Sequence, residues 1–208
     1  RVKGGDKIIL MNRNQINTIN IEYLFTVINA QKKEISLQLI ETKTISNELS
    51  LELNLALSLP NKPAKLEFIL EKAVELGVKK IYLIQSEFSQ FPHQLRLDRL
   101  EKIILEATEQ TERAILPQLS YFNSLQEFVG LHKNNLFAAL ERSSESLDLL
   151  TLPVSTQITL LIGPEGGFSP NEMALFHTHT IPTFQLGGSI LRMETATLLA
   201  LGVIRLRS

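Results

Sequence analysis

Two glycine-bearing segments in the last quarter of the chain restrict its fold more than any other feature. The first reads Leu160-Leu161-Ile162-Gly163-Pro164-Glu165-Gly166-Gly167-Phe168-Ser169-Pro170-Asn171-Glu172. The second reads Leu186-Gly187-Gly188-Ser189-Ile190-Leu191-Arg192-Met193-Glu194-Thr195-Ala196. Each runs from an apolar lead-in through glycines into a helix start. Glycine admits positive φ and lets backbone approach a ligand closely, and helix starts carry unpaired N–H groups. Two such corners predict one pocket built largely of main chain.

The first corner follows a predicted strand, Gln157–Ile162. Ser169 suits the N-cap, Pro170 the first helical position and Glu172 the third, which together make a capping box. Such a cap stabilises a helix by about 1 kcal/mol. It also consumes the N–H groups that a phosphate would need. The corner lacks the Gly-Lys-Ser/Thr ending of a P-loop and the GxGxxG spacing of a dinucleotide site. A weaker strand, Pro182–Leu186, leads into the second corner. From Met193 the chain reads as helix, with Ala196, Leu199, Ala200, Val203 and Ile204 on one face and Leu198 and Leu201 off it. A helix apolar on more than one face needs cover on more than one side, and a second subunit would supply it.

Upstream, the hydrophobic period changes near residue 48. Residues 6–11, 19–28 and 35–42 are short apolar or alternating runs, separated by polar stretches such as Asn12-Arg13-Asn14-Gln15 and Asn29-Ala30-Gln31-Lys32-Lys33. They predict a small β unit with hairpin-like spacing, entered by a turn at Gly4-Gly5-Asp6. The polar stretch Thr42–Ser50 is the expected boundary. Beyond it, Leu51–Leu59 reads as a strand stopped by Pro60 and Pro63. Leu66, Ile69, Leu70, Ala73 and Val74 have helical spacing, with Gly77 at the helix end. Lys79–Gln85 is a compact strand, Leu97, Leu100, Ile104, Ala107 and Thr111 line a second helix, and Leu136–Leu140 is a buried-strand candidate. Strands alternating with helices predict an α/β domain with a mainly parallel sheet.

The formal net charge of the 208-residue chain is −1, so bulk charge does not announce a nucleic-acid partner. Its distribution is more informative. Residues 1–45 carry Arg1, Lys3, Lys7, Arg13, Lys32, Lys33 and Lys43 against Asp6, Glu22, Glu34 and Glu41, a net of +3, which leaves −4 for the remainder. A basic small unit beside an acidic large one fits an RNA-gripping module joined to something else. There are no cysteines, which excludes disulfides and thiolate chemistry and makes a cytoplasmic setting the expectation. No apolar run approaches the ~20 residues of a membrane span, and no membrane partner is expected. His177 and His179 fall in or just after a helix, where residues two apart point away from each other. His93 and His132 stand alone in the sequence, and no metal site is expected.

The two C-terminal segments together resemble the signature of the SPOUT methyltransferase superfamily, and specifically that of the bacterial small-subunit ribosomal RNA uridine-N3 methyltransferases, the ribosomal small-subunit methyltransferase E family. Glu71-Lys72-Ala73-Val74-Glu75-Leu76-Gly77-Val78 and Glu106-Ala107-Thr108-Glu109-Gln110-Thr111-Glu112-Arg113 extend the resemblance upstream, as does Arg1-Val2-Lys3-Gly4-Gly5-Asp6. The likeness covers nearly the whole chain, without the family's first strand. It implies a PUA-like β-barrel RNA-binding domain over residues 1–47 and a SPOUT methyltransferase domain over 48–208, with a C-terminal trefoil knot. It implies S-adenosylmethionine as methyl donor, 16S ribosomal RNA or the small ribosomal subunit as partner, and a homodimer formed through the knot region. By the same likeness the donor lies against Leu161, Ile162, Gly163, Glu165, Gly166, Leu186, Gly187, Ile190, Leu191 and Arg192. The chain departs from the family at Phe88 and Ser189, where an arginine is usual.

Methylation at uridine N3 requires loss of a proton and stabilisation of negative charge on the uracil carbonyls, which a nearby cation supplies. Arg192 is the first candidate for that cation. Arg113 is the candidate for gripping phosphate or pairing with Glu194. A general base is sought at Glu165 or Glu194, the choice resting on geometry. The basic residues Arg13, Lys32 and Lys33 are the expected RNA contacts of the small unit. Two other readings compete. One is a catalytically degenerate RNA-binding protein of the same fold, suggested by Phe88 and Ser189. The other is a nucleotide-binding enzyme, which the missing P-loop lysine and the self-capped helix disfavour.

Overall fold

The computed structural model describes residues 2–11, 21–44, 48–91, 94–140, 147–153 and 156–208. Arg13, the polar stretch 12–15 and His93 therefore lie outside the described residues. The chain divides into two compact units, one formed by residues up to 48 with 112–116, the other by 49–111 with 117–208.

The smaller unit contains an antiparallel sheet of β1 (Lys7–Met11), β2 (Ile21–Ala30) and β3 (Ile35–Thr44). Lys7 pairs with Thr26 and Met11 with Glu22, and Ala30 pairs with Ile35 at the β2–β3 turn. The register shifts twice along β2–β3, between Leu24 and Phe25 and between Val27 and Asn29. Such bulges increase local twist. The turn before β1 uses Gly5 at φ 91°, and its N–H donates to the Val27 carbonyl at 2.8 Å. Lys32 and Lys33 stand exposed in the tight β2–β3 turn, which is closed by Gln31 N–H donating to the Glu34 carbonyl. Arg113 also belongs to this unit. Its Nη2 donates to Glu48 Oε2 at 2.7 Å, its Nε approaches Glu48 Oε1 at 3.3 Å, and both side chains are almost wholly buried. The same carboxylate accepts the Ile115 N–H at 3.0 Å.

The larger unit is built on a seven-stranded sheet ordered β6-β5-β4-β9-β7-β10-β8. Its strands are β4 (Glu52–Ser58), β5 (Lys80–Ile84), β6 (Gln118–Phe122), β7 (Leu136–Ala139), β8 (Leu147–Asp148), β9 (Gln157–Ile162) and β10 (Thr183–Gln185). Each neighbouring pair is parallel. The helices are α1 (Pro63–Glu75), α2 (Leu97–Gln110), α3 (Leu125–His132), α4 (Pro170–Thr178) and α5 (Met193–Leu206). Parallel sheets are covered on both faces, and the strand alternation shows how. Ala56, Tyr82, Ile84, Ala138 and Leu161 join Phe128, Val129 and Phe176 in a core beneath α3 and α4. The alternate residues Leu55, Leu57, Leu83 and Leu160, all fully buried, turn to the opposite face, where α5 meets β4 and β9 and α1 packs on α2 and α5.

Three features differ from the sequence expectation. β6 and α3 were not anticipated. The strand is short and half-exposed, and the helix has eight residues. The signal present was Ser124, whose side chain accepts the Glu127 N–H at 3.1 Å as the N-cap of α3. Next, α5 is rotated from its expected face. Met193, Ala196, Thr197, Ala200, Leu201 and Ile204 are buried, while Leu199 is 43% exposed. The stripe follows i, i+3, i+4, i+7, i+8 and i+11. Thr197 joins it because its hydroxyl donates to the Met193 carbonyl at 2.8 Å, which satisfies the buried oxygen. Finally, His132 is not isolated. Its ring stacks on Phe128 at 5.1 Å and lies 4.7 Å from Tyr82.

Candidate active site

The carboxyl ends of β4, β9, β7 and β10 lie side by side, because these strands are consecutive in the sheet and parallel. Chain order reverses here: β5 and β6 extend from one side of β4, and the later strands build out from the other. Ligands of open α/β sheets collect at such a switch point, outside the strand ends. A cavity of about 810 Å³ occupies this place, and both glycine corners line it.

Of the residues expected at the donor site, Ile162, Gly163, Glu165, Leu186, Gly187, Ile190, Leu191 and Arg192 stand on the cavity wall. Leu161 and Gly166 do not. Leu161 points into the core beneath α3 and α4, and a Cβ on Gly166 would lie 3.3 Å from the Phe88 Cβ. The glycines have different reasons for being glycine. Gly167 and Gly187 take φ of 72° and 103°, values that side-chain-bearing residues rarely adopt. Gly163 has no such φ. A Cβ there would stand 3.0 Å from Cε2 and 3.1 Å from Cζ of Phe168, so its hydrogen makes room for a ring rather than for open space.

The helix after the first corner is capped as its sequence predicts. Ser169 Oγ accepts the Glu172 N–H at 3.1 Å, and Glu172 accepts the Ser169 N–H at 2.9 Å. The Glu172 carboxylate also accepts the Glu87 N–H at 3.1 Å, and the Asn171 side-chain amide donates to Glu87 at 3.2 Å. Both bonds moor the corner to the segment after β5.

The charged candidates stand as follows. Arg192 is exposed at the N-cap of α5, lines the cavity, and its guanidinium has no partner among the described residues. Glu194 does not line the cavity, and its Oε2 is buried without a hydrogen-bond partner among the described residues. Arg113 is committed to Glu48. Glu165 accepts from Lys65 Nζ and from the Asn61 N–H at 3.3 and 3.2 Å. Burial works to raise its carboxyl, but the Lys65 ammonium and the Asn61 N–H outweigh that and hold it below the ordinary carboxylate value. It is a weak base with its lone pairs engaged.

Sequence reasoning missed the wall contributed by Asn61, Lys62 and Lys65, and the apolar wall of Phe168, Met173 and Met193. The first belongs to the connection after β4 and the first turn of α1, and was recoverable from the rule of strand ends, had the sheet order been known. Among the described residues no group of three His, Cys, Asp or Glu side chains is placed to hold a metal ion, and no helix is long and apolar enough to cross a membrane.

Residues 47–205 match the family described as RNA methyltransferase domain. The ribosomal RNA small subunit methyltransferase E of Mesomycoplasma hyopneumoniae is 30% identical over 200 residues, covering 92% of this chain and 85% of that protein. The chain belongs to the ribosomal RNA small subunit methyltransferase E family. The family member from Rickettsia conorii is 33% identical over 149 residues, 70% of this chain and 61% of that protein. The chain thus spans less than two thirds of the length of that relative, and likewise of a family member from Synechocystis. Among solved structures, a protein from Legionella pneumophila in complex with the bound cofactor SAM superimposes with a TM-score of 0.84 at 26% identity, over 99% of this chain and 85% of that one.

Proposed function

We propose that this chain is an S-adenosylmethionine-dependent methyltransferase that methylates N3 of a uridine in 16S ribosomal RNA. The observation that carries the reading is the convergence of both glycine corners on one cavity at the switch point of the sheet. Its volume, about 810 Å³, falls in the range of cofactor sites, roughly 300–1,000 Å³. The φ of 103° at Gly187 and the bare Gly163 leave main-chain groups at the wall, which suits a donor recognised through its adenine and amino-acid polar edges.

When bound, the donor supplies an electrophilic methyl group, and the protein contributes position and charge. Leu186, Leu191 and Met193 offer apolar cover. Arg192, at the wall and without a partner among the described residues, would stabilise the developing negative charge on uracil. Glu165 is unsuited to proton removal because Lys65 and Asn61 occupy its oxygens. Glu194, which lies off the wall, is assigned to the base of α5. Arg113 is assigned to bracing the smaller unit through Glu48.

The remaining parts of the reading follow the family. The small unit is a PUA-like RNA-binding domain that uses Lys32 and Lys33 at its exposed turn, together with Arg13. The insertion of β9 between β4 and β7, and of β10 between β7 and β8, supports a knotted C-terminal segment. Ile190 and Leu199, 56% and 43% exposed, support a homodimer formed there. The protein acts in the cytoplasm.

The test is methyl transfer from radiolabelled donor to small ribosomal subunits from cells lacking the modification, with the wild type and Arg192→Ala. The expected result is transfer by the wild type to uridine N3, and donor binding without transfer by the variant. One observation favours the alternative of a degenerate RNA-binding protein: Ser189 lines the cavity and Phe88 stands beside Gly166, where arginines are usual in the family. Tight donor binding with no transfer to any small-subunit RNA would decide for it.

A further inference from the structure

Phe168 anchors the first glycine corner to the core at its α4 end, but the glycine pair before it has no side chains of its own. Gly166 and Gly167 are adjacent, and a Cβ on Gly167 would meet nothing within 4 Å among the described residues. A paired glycine segment loses much conformational freedom when it is fixed, so tethers must hold its shape. On the α4 side the tether is Glu172, which binds the Ser169 and Glu87 N–H groups. On the other side the partner comes from far along the chain. β4 and β9 are adjacent and parallel, with Leu57 opposite Ile162, so the connection after β4 runs beside the corner. There Glu165 accepts from the Asn61 N–H and from Lys65 Nζ in the first turn of α1. Glu165, Asn61 and Lys65 all line the cavity. A charge-assisted bond to a carboxylate is stronger than a neutral one.

We propose that Lys65 is a positioning residue for the donor site: by holding Glu165 against the β4–α1 connection, it keeps the Gly163–Gly167 corner in the shape that receives the donor. This rests on the reading of the cavity as a donor site. Lys65 acts through Glu165, and its loss lets the glycine pair sample shapes in which the corner no longer matches the donor.

The experiment uses the full chain with Lys65→Met, Lys65→Arg, Glu165→Gln and the double variant Lys65→Met/Glu165→Gln. S-adenosylmethionine affinity is measured by calorimetry, and steady-state transfer with donor and RNA varied separately. Lys65→Met is expected to weaken donor binding about fivefold, matching about 1 kcal/mol, and to raise the donor KM by a similar factor. The kcat at saturating donor and the KM for RNA stay unchanged. Arginine restores affinity because its guanidinium also bridges to a carboxylate. The double variant binds no more weakly than the poorer single variant, since both changes break one tether. Amide hydrogen exchange of the donor-free protein supplies an independent readout. The Gly167 N–H, which donates to the Pro164 carbonyl at 2.9 Å, exchanges faster in Lys65→Met and at the wild-type rate in Lys65→Arg. Unchanged donor affinity in Lys65→Met, or additive losses in the double variant, overturns the proposal. Faster exchange in Lys65→Met together with no donor binding by the wild type upholds the tether and overturns the donor-site reading instead.

Discussion

Replacing Gly163 by alanine tests the geometry of the cavity wall most directly. Gly163 does not have a positive φ, so alanine meets no backbone strain there. Its methyl carbon would instead stand 3.0 to 3.1 Å from Cε2 and Cζ of Phe168, several tenths of an ångström inside ordinary carbon contact, roughly 3.5–4.0 Å. The ring cannot retreat freely. It packs edge-on against Phe176 at 4.9 Å, and Phe176 is buried. Overpacking of this kind costs about 1–3 kcal/mol, which lowers the melting temperature by roughly 3–9 °C for a domain of this size. Phe168 also lines the cavity, so a displaced ring narrows the donor site, and S-adenosylmethionine affinity should fall at least about tenfold, or ~1.4 kcal/mol. Thermal melts with and without donor, and calorimetry, read both effects. Adding Phe168→Leu, which removes the ring edge, should return most of the melting temperature. A Gly163→Ala variant that melts and binds like the wild type would refute the reasoning, since the contact would then be neither tight nor part of the wall.

Other expectations concern sites away from that contact. Burial, with Lys80 nearby, holds the His132 imidazole below its ordinary value of 6.5, so the unfolded chain takes up a proton before the folded one as pH falls. Stability is then greatest above about 6.5 and declines as pH drops from there towards the folded value. His132→Phe, which keeps an aromatic ring in the cluster, should flatten melting temperature against pH between 5 and 7, and an unaltered slope would assign the titration elsewhere. Glu48→Ala should destabilise the protein by about 3 kcal/mol in urea, because it breaks a buried ion pair and orphans the Ile115 N–H. A loss below about 1 kcal/mol would show that the pair is dispensable. Changing Lys32 and Lys33 to alanine should weaken RNA binding and reduce the salt slope by about 1.4, from two single-strand phosphate contacts. An unchanged slope would move the RNA contact off the β2–β3 turn.

Which parts of the site were legible in the sequence depends on the range of the forces involved. The cap at Ser169 and Glu172 needs residues three apart, and its pattern could be read directly. The positive φ at Gly167 and Gly187 is likewise a local demand that glycine announces. Thr197 looked polar because its hydroxyl partner, the Met193 carbonyl, exists only once the helix has formed. His132 looked solitary because the rings of Tyr82 and Phe122 reach it across the sheet. Gly163 is subtler. It was recognisable as a close approach, but the approaching group is Phe168 of the same corner.

The wall at Asn61 and Lys65 marks the limit of local pattern. Its bond to Glu165 spans 104 residues of chain and exists because β9 enters the sheet beside β4 rather than at an edge. Hydrophobic period predicts that a strand exists and which way its side chains alternate, but it carries no information on which strands become neighbours. Once β9 lies beside β4, two connections from opposite ends of the domain must share one edge. A flexible glycine pair on one of them then gains order from any donor on the other. Lys65 occupies that position. If exchange at Gly167 proves indifferent to Lys65, the corner is ordered from within, and adjacency of the strands alone does not shape the cavity.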